Sequence, residues 1–228
     1  MPSVYKEIQI VEQIIHPKRY LEVGVREGIN LSKVEAKYKI GIDISPKTPK
    51  NYPIKIYVGT SDAIFSSEEF KKEEPFDLIF IDAFHEYRQV VRDINNALNF
   101  LKHKGIIICH DVYPFDRLGL PNLTDKQPPN PLLAWTGDVW KVVFHVRWLM
   151  PELDYYVVKN FPGYLYLWKP KKLREINTSE IKERLGTDIV NEDIIDELTE
   201  EWALNNLDLM NIITLENLRR KIKRFLYG

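Results

Sequence analysis

The stretch FDLIFIDAFHEYRQVVRDINNALNFLKHKGIIICHDVYP, Phe76 to Pro114, decides the fold. Leu78 to Ile81 is a short apolar run of the kind that makes a strand buried on both faces. From Glu86 to Lys102 the residues Val90, Ile94, Leu98 and Leu101 recur at helical spacing and predict one apolar stripe. Gly105 restarts the chain, and Ile106 to Cys109 predicts a second buried strand. A right-handed crossover makes the two strands parallel, so their C-terminal ends emerge on one edge of a sheet. The first strand ends at Asp82, with His85 three residues on, and the second at His110 and Asp111. Open α/β sheets bind their ligands beyond that edge. Two carboxylates and two imidazoles are therefore expected together although a helix separates them in the chain.

Working outward, MPSVYKEIQIVEQIIHP reads as an amphipathic helix ending before Pro17; its charges argue against a signal peptide. Tyr20 to Val23 predicts a strand that runs into the turn Glu22-Val-Gly24-Val-Arg-Glu-Gly28, with Asn30 or Ser32 as cap of a following helix. Tyr38 to Ile44 predicts the second strand, with Asp43 at its end, and Ile54 to Val58 the third. Thr60, Ser61 and Asp62 are cap-type residues before a helix to about Lys72. Val112 to Thr136 holds five prolines and reads as a long irregular loop of the kind that is functional or disordered. Thr136-Gly137-Asp138 predicts a helix reaching Met150, although its β-branched residues leave strand as an alternative. Asp154 to Lys159 and Tyr164 to Trp168 alternate as two strands, and Phe161-Pro162-Gly163 joins them antiparallel.

Beyond Pro170 helix formers dominate. Asn177 with Glu180 reads as a capping box, Asn191 as a second cap, and Thr214 as the cap of a last helix with Leu215, Leu218, Ile222 and Phe225 on one face. The expectation is a main domain over residues 1–170 and a helical extension over 171–228, packed on the core or on a second subunit as a homo-oligomer contact. Arg219, Arg220, Lys221, Lys223 and Arg224 read as the solvated face of the last helix.

At 228 residues the chain can bury a substantial core. Its 32 Lys and Arg nearly balance 33 Asp and Glu, which excludes bulk attraction to nucleic acid or anionic lipid. No apolar run reaches the length of a membrane span. The single cysteine, Cys109, permits no internal disulfide and fits a reducing, cytoplasmic setting.

The order of strands and helices, with a final antiparallel pair, resembles the class I S-adenosylmethionine-dependent methyltransferases over roughly Lys18 to Lys169. LEVGVREG is similar to the family's first motif and GIDIS to its second. FDLIFIDAFHEY and GIIICHDVYP resemble the fourth and fifth motifs of the metal-assisted small-molecule and sugar O-methyltransferases. The implied fold is α/β, a doubly wound and mostly parallel seven-stranded sheet of the Rossmann-like methyltransferase type, with a C-terminal helical appendage.

The resemblance also implies roles. Glu22, Gly24, Gly28, Asp43, Ser61, Asp62 and Asp82 would bind S-adenosylmethionine. Glu22 would face the cofactor's ammonium, Asp43 its ribose hydroxyls, and Ser61 and Asp62 its adenine. The glycines let backbone approach a ligand and turn sharply. His85 and Asp82 are the catalytic candidates, with His85 as general base because imidazole titrates near neutrality. Asp82, His110 and Asp111 are candidate ligands for a divalent metal, Mg²⁺ or Mn²⁺, and a small hydroxylated molecule is the expected acceptor. His110 stands where the subgroup usually has a carboxylate, which favours a softer ion or a site without metal.

Residues with a plainer reading are His16, His103 and His145 as surface or packing histidines, and Arg88 and Lys141 as solvated cations. Tyr113, Phe115, Trp135 and Trp140 are candidates for an apolar lid or for loop packing. Two other functions compete. One is a non-catalytic cofactor-binding or assembly protein. The other is a nucleotide-dependent dehydrogenase, disfavoured because Arg26 occupies the place of the second glycine in a dinucleotide fingerprint.

Overall fold

The computed structural model describes residues 4–114 and 136–228. The first half of the chain carries α1 (Tyr5–Ile15), β1 (Arg19–Val23), α2 (Ile29–Lys33), β2 (Tyr38–Asp43), β3 (Lys55–Val58), α3 (Ser61–Ser66), β4 (Phe76–Ile81), α4 (Tyr87–Asn99) and β5 (Leu101–His110). The second half carries α5 (Lys141–Leu149), β6 (Asp154–Val158), β7 (Tyr164–Trp168), α6 (Thr178–Leu185), α7 (Glu192–Asp196), α8 (Glu200–Asn205) and α9 (Leu215–Tyr227). Two compact units divide them: Met1–Phe84 with Arg92–His110 and Leu215–Gly228, and His85–Val91 with Asp111–Thr214.

The first unit is built on five parallel strands in the order β3-β2-β1-β4-β5. Leu78 to Ile81 and Ile106 to Cys109 are buried, as expected of central parallel strands with both faces covered. The strand order reverses between β1 and β4, which is the switch point where such sheets open a ligand crevice. Register pairs Val23 with Ile81 and Ile81 with Cys109, so Asp82 and His110 each follow matched strand positions. At the opposite end Phe70 is wholly buried among Tyr57, Phe65, Phe76 and Phe100, at ring separations of 4.9–6.4 Å. Contacts of this kind anchor the base of β4. In α9, Leu218, Ile222 and Leu226 are buried; the helix packs on α1, and Lys104 Nζ donates to Leu226 C=O.

In the second unit β6 and β7 pair antiparallel from Asp154–Trp168 to Val158–Tyr164, as the alternating pattern predicts. The other side of β6 is bridged by Ile212: Val157 N–H donates to Asn211 C=O and Ile213 N–H donates back to Val157 C=O. Backbone groups of a strand edge are thereby paired rather than left as a template for association. Arg174 is half-buried, and its guanidinium donates to the carbonyls of Val146, Arg147, Met150 and Leu153, closing the C-terminus of α5. The seven strands, in the order β3-β2-β1-β4-β5-β7-β6, meet the expected doubly wound mixed sheet.

Local corrections are instructive. The stripe on α4 is buried at Val90 and Ile94 and half-buried at Leu98, with Ala97 buried beside it, but the helix stops at Asn99 and Leu101 already belongs to β5. Phe76 N–H takes the Phe100 carbonyl, and an irregularity between Phe76 and Leu78 absorbs the early pairing, so the strand starts before Gly105. Neither Asn30 nor Ser32 caps α2; it starts after Gly28, whose φ is +74°, without a side-chain cap. Thr60, not Ser61 or Asp62, caps α3 by accepting Ala63 N–H. That helix ends at Ser66, and only a 3-10 turn follows at Phe70–Lys72. Over Lys141–Leu149 helix prevails over strand because Lys141 to Val146 and Trp148 are all buried, which a one-faced strand pattern would not produce.

Candidate functional site

In the first unit the turn after β1 is folded onto the end of β4. Gly24 has φ +90°, and a Cβ placed there would lie 1.9 Å from the carbonyl oxygen of Asp82. Only glycine permits that approach. The sequence had assigned this glycine to closeness with a ligand; the protein's own backbone already requires it. Asp82 N–H donates to Val23 C=O at 2.8 Å, and Gly24 N–H to Ile42 C=O at 2.9 Å, so three strand ends meet at this turn.

Asp43 locks the same turn. Its Oδ2 accepts the N–H groups of Val25 and Arg26, each at 2.8 Å, and its Oδ1 accepts Ser45 N–H at 2.7 Å. Arg26 sits at φ +50° within it. Glu22 is 1 % exposed in the middle of β1, where it accepts the Tyr20 hydroxyl at 2.8 Å. Burial pushes its carboxyl up to about 8; the Tyr20 hydroxyl opposes the rise, and the charges of Asp82 and Asp43 add to it. Burial away from water favours its protonated form at neutral pH.

Ser61 and Asp62, at the start of α3, turn toward α4. Ser61 Oγ bonds buried Asp93, while Asp62 accepts from Arg92 at 3.3 Å and Asn96 at 3.2 Å. At the ends of β4 and β5, Asp82 Oδ1 lies 3.1 Å from His110 Nδ1. The ladder register places that pair.

In the second unit His85 Nε2 lies 3.0 Å from Asp111 Oδ2. His85 is one-quarter exposed at its side chain and Asp111 nearly buried, at 25 % and 5 %. Asp111 adopts φ +62°, an uncommon conformation for a residue with a Cβ. Its neighbours hold it there: Tyr113 N–H donates to Pro162 C=O and Val112 N–H reaches Gly163 C=O. Each predicted carboxylate thus has a predicted imidazole against it. One peptide bond links His110 to Asp111, and two residues lie between Asp82 and His85.

Several plainer expectations change. Lys141 is buried, beside Asp138 at 3.3 Å and Asp196 at 3.6 Å, instead of solvated. Arg88 pairs with Asp193 and Asp196. His145 is a packing histidine: its Nδ1 meets the Tyr87 hydroxyl at 2.8 Å, and burial lowers it to about 4. His16 and His103 are exposed. Tyr113 and Trp140 are buried, whereas Phe115 and Trp135 lie outside the described residues. Sequence reasoning missed Asp138, whose Oδ1 accepts Tyr87 N–H at 2.7 Å, and the packing of Gly137 on His85. A Gly-Asp pair ahead of a helix carries no signal for a partner fifty residues earlier.

Residues 21–112 match a family model described as a methyltransferase domain. A comparison with curated proteins found no match. Among solved structures the chain is similar to the O-methyltransferase from Bacillus cereus in complex with SAH, with 20 % identity, TM-score 0.56, 74 % of this chain and 82 % of that one. It is similar to the SAH-bound Podospora anserina methyltransferase PaMTH1, at 22 % identity and TM-score 0.51, over 75 % and 80 % of the two chains. A third is the O-methyltransferase TomG from Streptomyces achromogenes, involved in tomaymycin synthesis and in complex with SAM: 14 % identity, TM-score 0.50, and 72 % and 78 % coverage. These likenesses are of fold.

Proposed function

We propose, from the premise that this chain carries a methyltransferase domain over residues 21–112, that it moves a methyl group from S-adenosylmethionine to a hydroxyl of a small molecule, with His85 as general base. The observation that carries the reading is the His85–Asp111 contact at 3.0 Å beyond the end of a central strand. The neighbours bound to SAH or SAM support the cofactor.

The cofactor would lie against the glycine turn, with buried Glu22 holding its ammonium, Asp43 its ribose hydroxyls, Ser61 and Asp62 its adenine, and Asp82 at the switch point. A carboxyl held up to about 8 by burial ionises when a cation arrives, so binding releases a proton. Methyl transfer is an in-line displacement: the acceptor oxygen bonds the methyl carbon, the carbon–sulfur bond breaks, and its electron pair leaves the sulfur neutral. The protein positions the acceptor and removes its proton. The Asp111 carboxylate, 3.0 Å from His85 Nε2, would stabilise the imidazolium that forms when His85 takes that proton.

A divalent cation fits the donors. Asp82 and Asp111 offer hard oxygens, and the His110 imidazole, whose Nδ1 is 3.1 Å from Asp82, is a nitrogen donor of ligand type. Asp82, His110 and Asp111 would hold the ion. A bound cation lowers the pKa of the acceptor hydroxyl. The acceptor is small, and sugars are the first class to test.

The test is label transfer from methyl-labelled S-adenosylmethionine to a panel of sugars and other alcohols. His85→Ala is expected to lose about 10²–10⁴-fold in kcat while SAH binding by calorimetry is retained. Full turnover by that variant removes His85 from the chemistry. Turnover that survives a chelator removes the metal. SAH binding without transfer to any acceptor leaves a binding or assembly protein.

A further inference from the structure

The base proposed above depends on how the His85–Tyr87 corner is held. That corner precedes α4, whose first amides lack partners within the helix. Glu86 accepts two of them, Arg88 N–H at 3.1 Å and Gln89 N–H at 2.8 Å. The Tyr87 N–H goes to Asp138 Oδ1 at 2.7 Å. The Tyr87 side chain, wholly buried, is fixed at its hydroxyl by His145 Nδ1 at 2.8 Å. Gly137, at φ +57°, lies so close to the His85 carbonyl that a Cβ would stand 1.8 Å from its oxygen. Lys141 Nζ sits 3.3 Å from Asp138 Oδ2, with both side chains mostly buried, at 7 % and 15 % exposed. The residues 137–145 thus grip the corner at a carbonyl, an amide and a hydroxyl.

We infer that Asp138 is a positioning residue for His85: with Gly137 it sets where the imidazole stands against Asp111, and it touches no reactant itself. This rests on the methyl-transfer reading. Glu86 already accepts two of the first-turn amides from within the corner, and Asp138 adds a third acceptor from a distant segment. The Asp138 carboxylate lies fifty-one residues away in the chain and is held by a buried lysine. Displacing a reacting group by about 1 Å costs on the order of a hundredfold in rate.

The experiment compares Asp138→Ala with Asp138→Asn in the full chain. The amide oxygen of asparagine can still accept the Tyr87 N–H, whereas alanine cannot. Alanine is expected to lower kcat ten- to a hundredfold per folded molecule, with the SAH Kd within twofold of wild type. Asparagine is expected to restore most of the loss. Hydrogen exchange at the Tyr87 amide should speed up in the alanine variant and stay slow in the asparagine one. An unchanged kcat for alanine, or asparagine no better than alanine, overturns the assignment. If the wild-type protein transfers no methyl group, the methyl-transfer reading fails and exchange alone judges the grip. A Tyr87 amide equally protected in wild type and Asp138→Ala then overturns the inference. Protection lost only in Asp138→Ala upholds it.

Discussion

The molecule holds two carboxylate–imidazole pairs in opposite ways. Asp82 and His110 follow directly from strands whose ladder sets their register, and the Asp82 amide is itself bonded to the end of β1. His85 and Asp111 follow no ladder of their own. The residues next to them are held by separate contacts from Gly137, Asp138, Pro162 and Gly163, far along the chain. A ladder repeats its hydrogen bonds and tolerates the loss of any side chain. A grip made of single contacts does not, but it can be tuned residue by residue. On the proposed reading, the turn that would bind the cofactor follows the first pattern and the residue that would handle the proton follows the second: the one has to be constant, the other placed closely.

The comparison breaks most sharply at Gly24. Gly24→Ala forces φ +90° on a residue with a Cβ and drives that Cβ into the Asp82 carbonyl. A loss of about 4 kcal/mol is expected from strain and overpacking together, read from the urea midpoint, with SAH binding lost as well. A smaller loss would mean that the turn and the end of β4 can separate cheaply. Lys141→Met tests the other pattern. It removes the cation from partly buried Asp138, whose carboxyl burial already raises above the usual range. About 3 kcal/mol is expected from leaving that charge unpaired, with SAH affinity unchanged and kcat reduced.

Acidity distinguishes the two patterns next. The Glu22 carboxyl stands at about 8 against an ordinary value of 4.5. Between those values the folded chain binds a proton that the unfolded chain has lost, so stability falls as pH rises. From pH 6 to pH 9 this amounts to roughly 2–3 kcal/mol, and denaturation at the two pH values should show a slope that Glu22→Gln flattens. SAH, which brings an ammonium, is expected to bind more tightly as pH rises toward 8 in the wild-type protein and with a weaker pH dependence in the variant. An identical slope in both proteins would assign the effect to other groups.

The same contrast explains what was legible in the sequence. Apolar runs ending in Asp82 and in His110-Asp111, with one crossover helix between them, suffice to place the polar residues at neighbouring strand ends. Glu22 and Gly24 fall within one short motif and Asp43 within the next, so the three could be read together. Asp138 and Lys141 could not, because their partners lie at Tyr87 and Asp196 and no local spacing joins them. Lys141 was expected in solvent because a lysine at a helix start usually is. Thr60, Ser61 and Asp62 are all cap-type residues, and only the extended backbone at Thr60 selects the one that caps. Leu101 kept the helical spacing of α4 and was still drawn into β5, because pairing with Phe76 competes successfully with one more helical turn.

The smallest effect tests whether the grip on His85 extends into the helices beyond β7. Asn177 caps α6 by accepting Glu180 N–H at 3.1 Å, but the expected reciprocal bond from Glu180 is absent among the contacts described. The Glu180 carboxylate instead binds Arg147 and Trp148, on the same helix that carries His145. Asn177→Ala is expected to cost about 1 kcal/mol of stability and to leave kcat and SAH affinity unchanged. A loss of kcat in that variant would mean that a cap on α6 is felt through Glu180, Arg147 and α5 at the Tyr87 anchor. The grip would then be a property of the whole helical layer and not of residues 137–145.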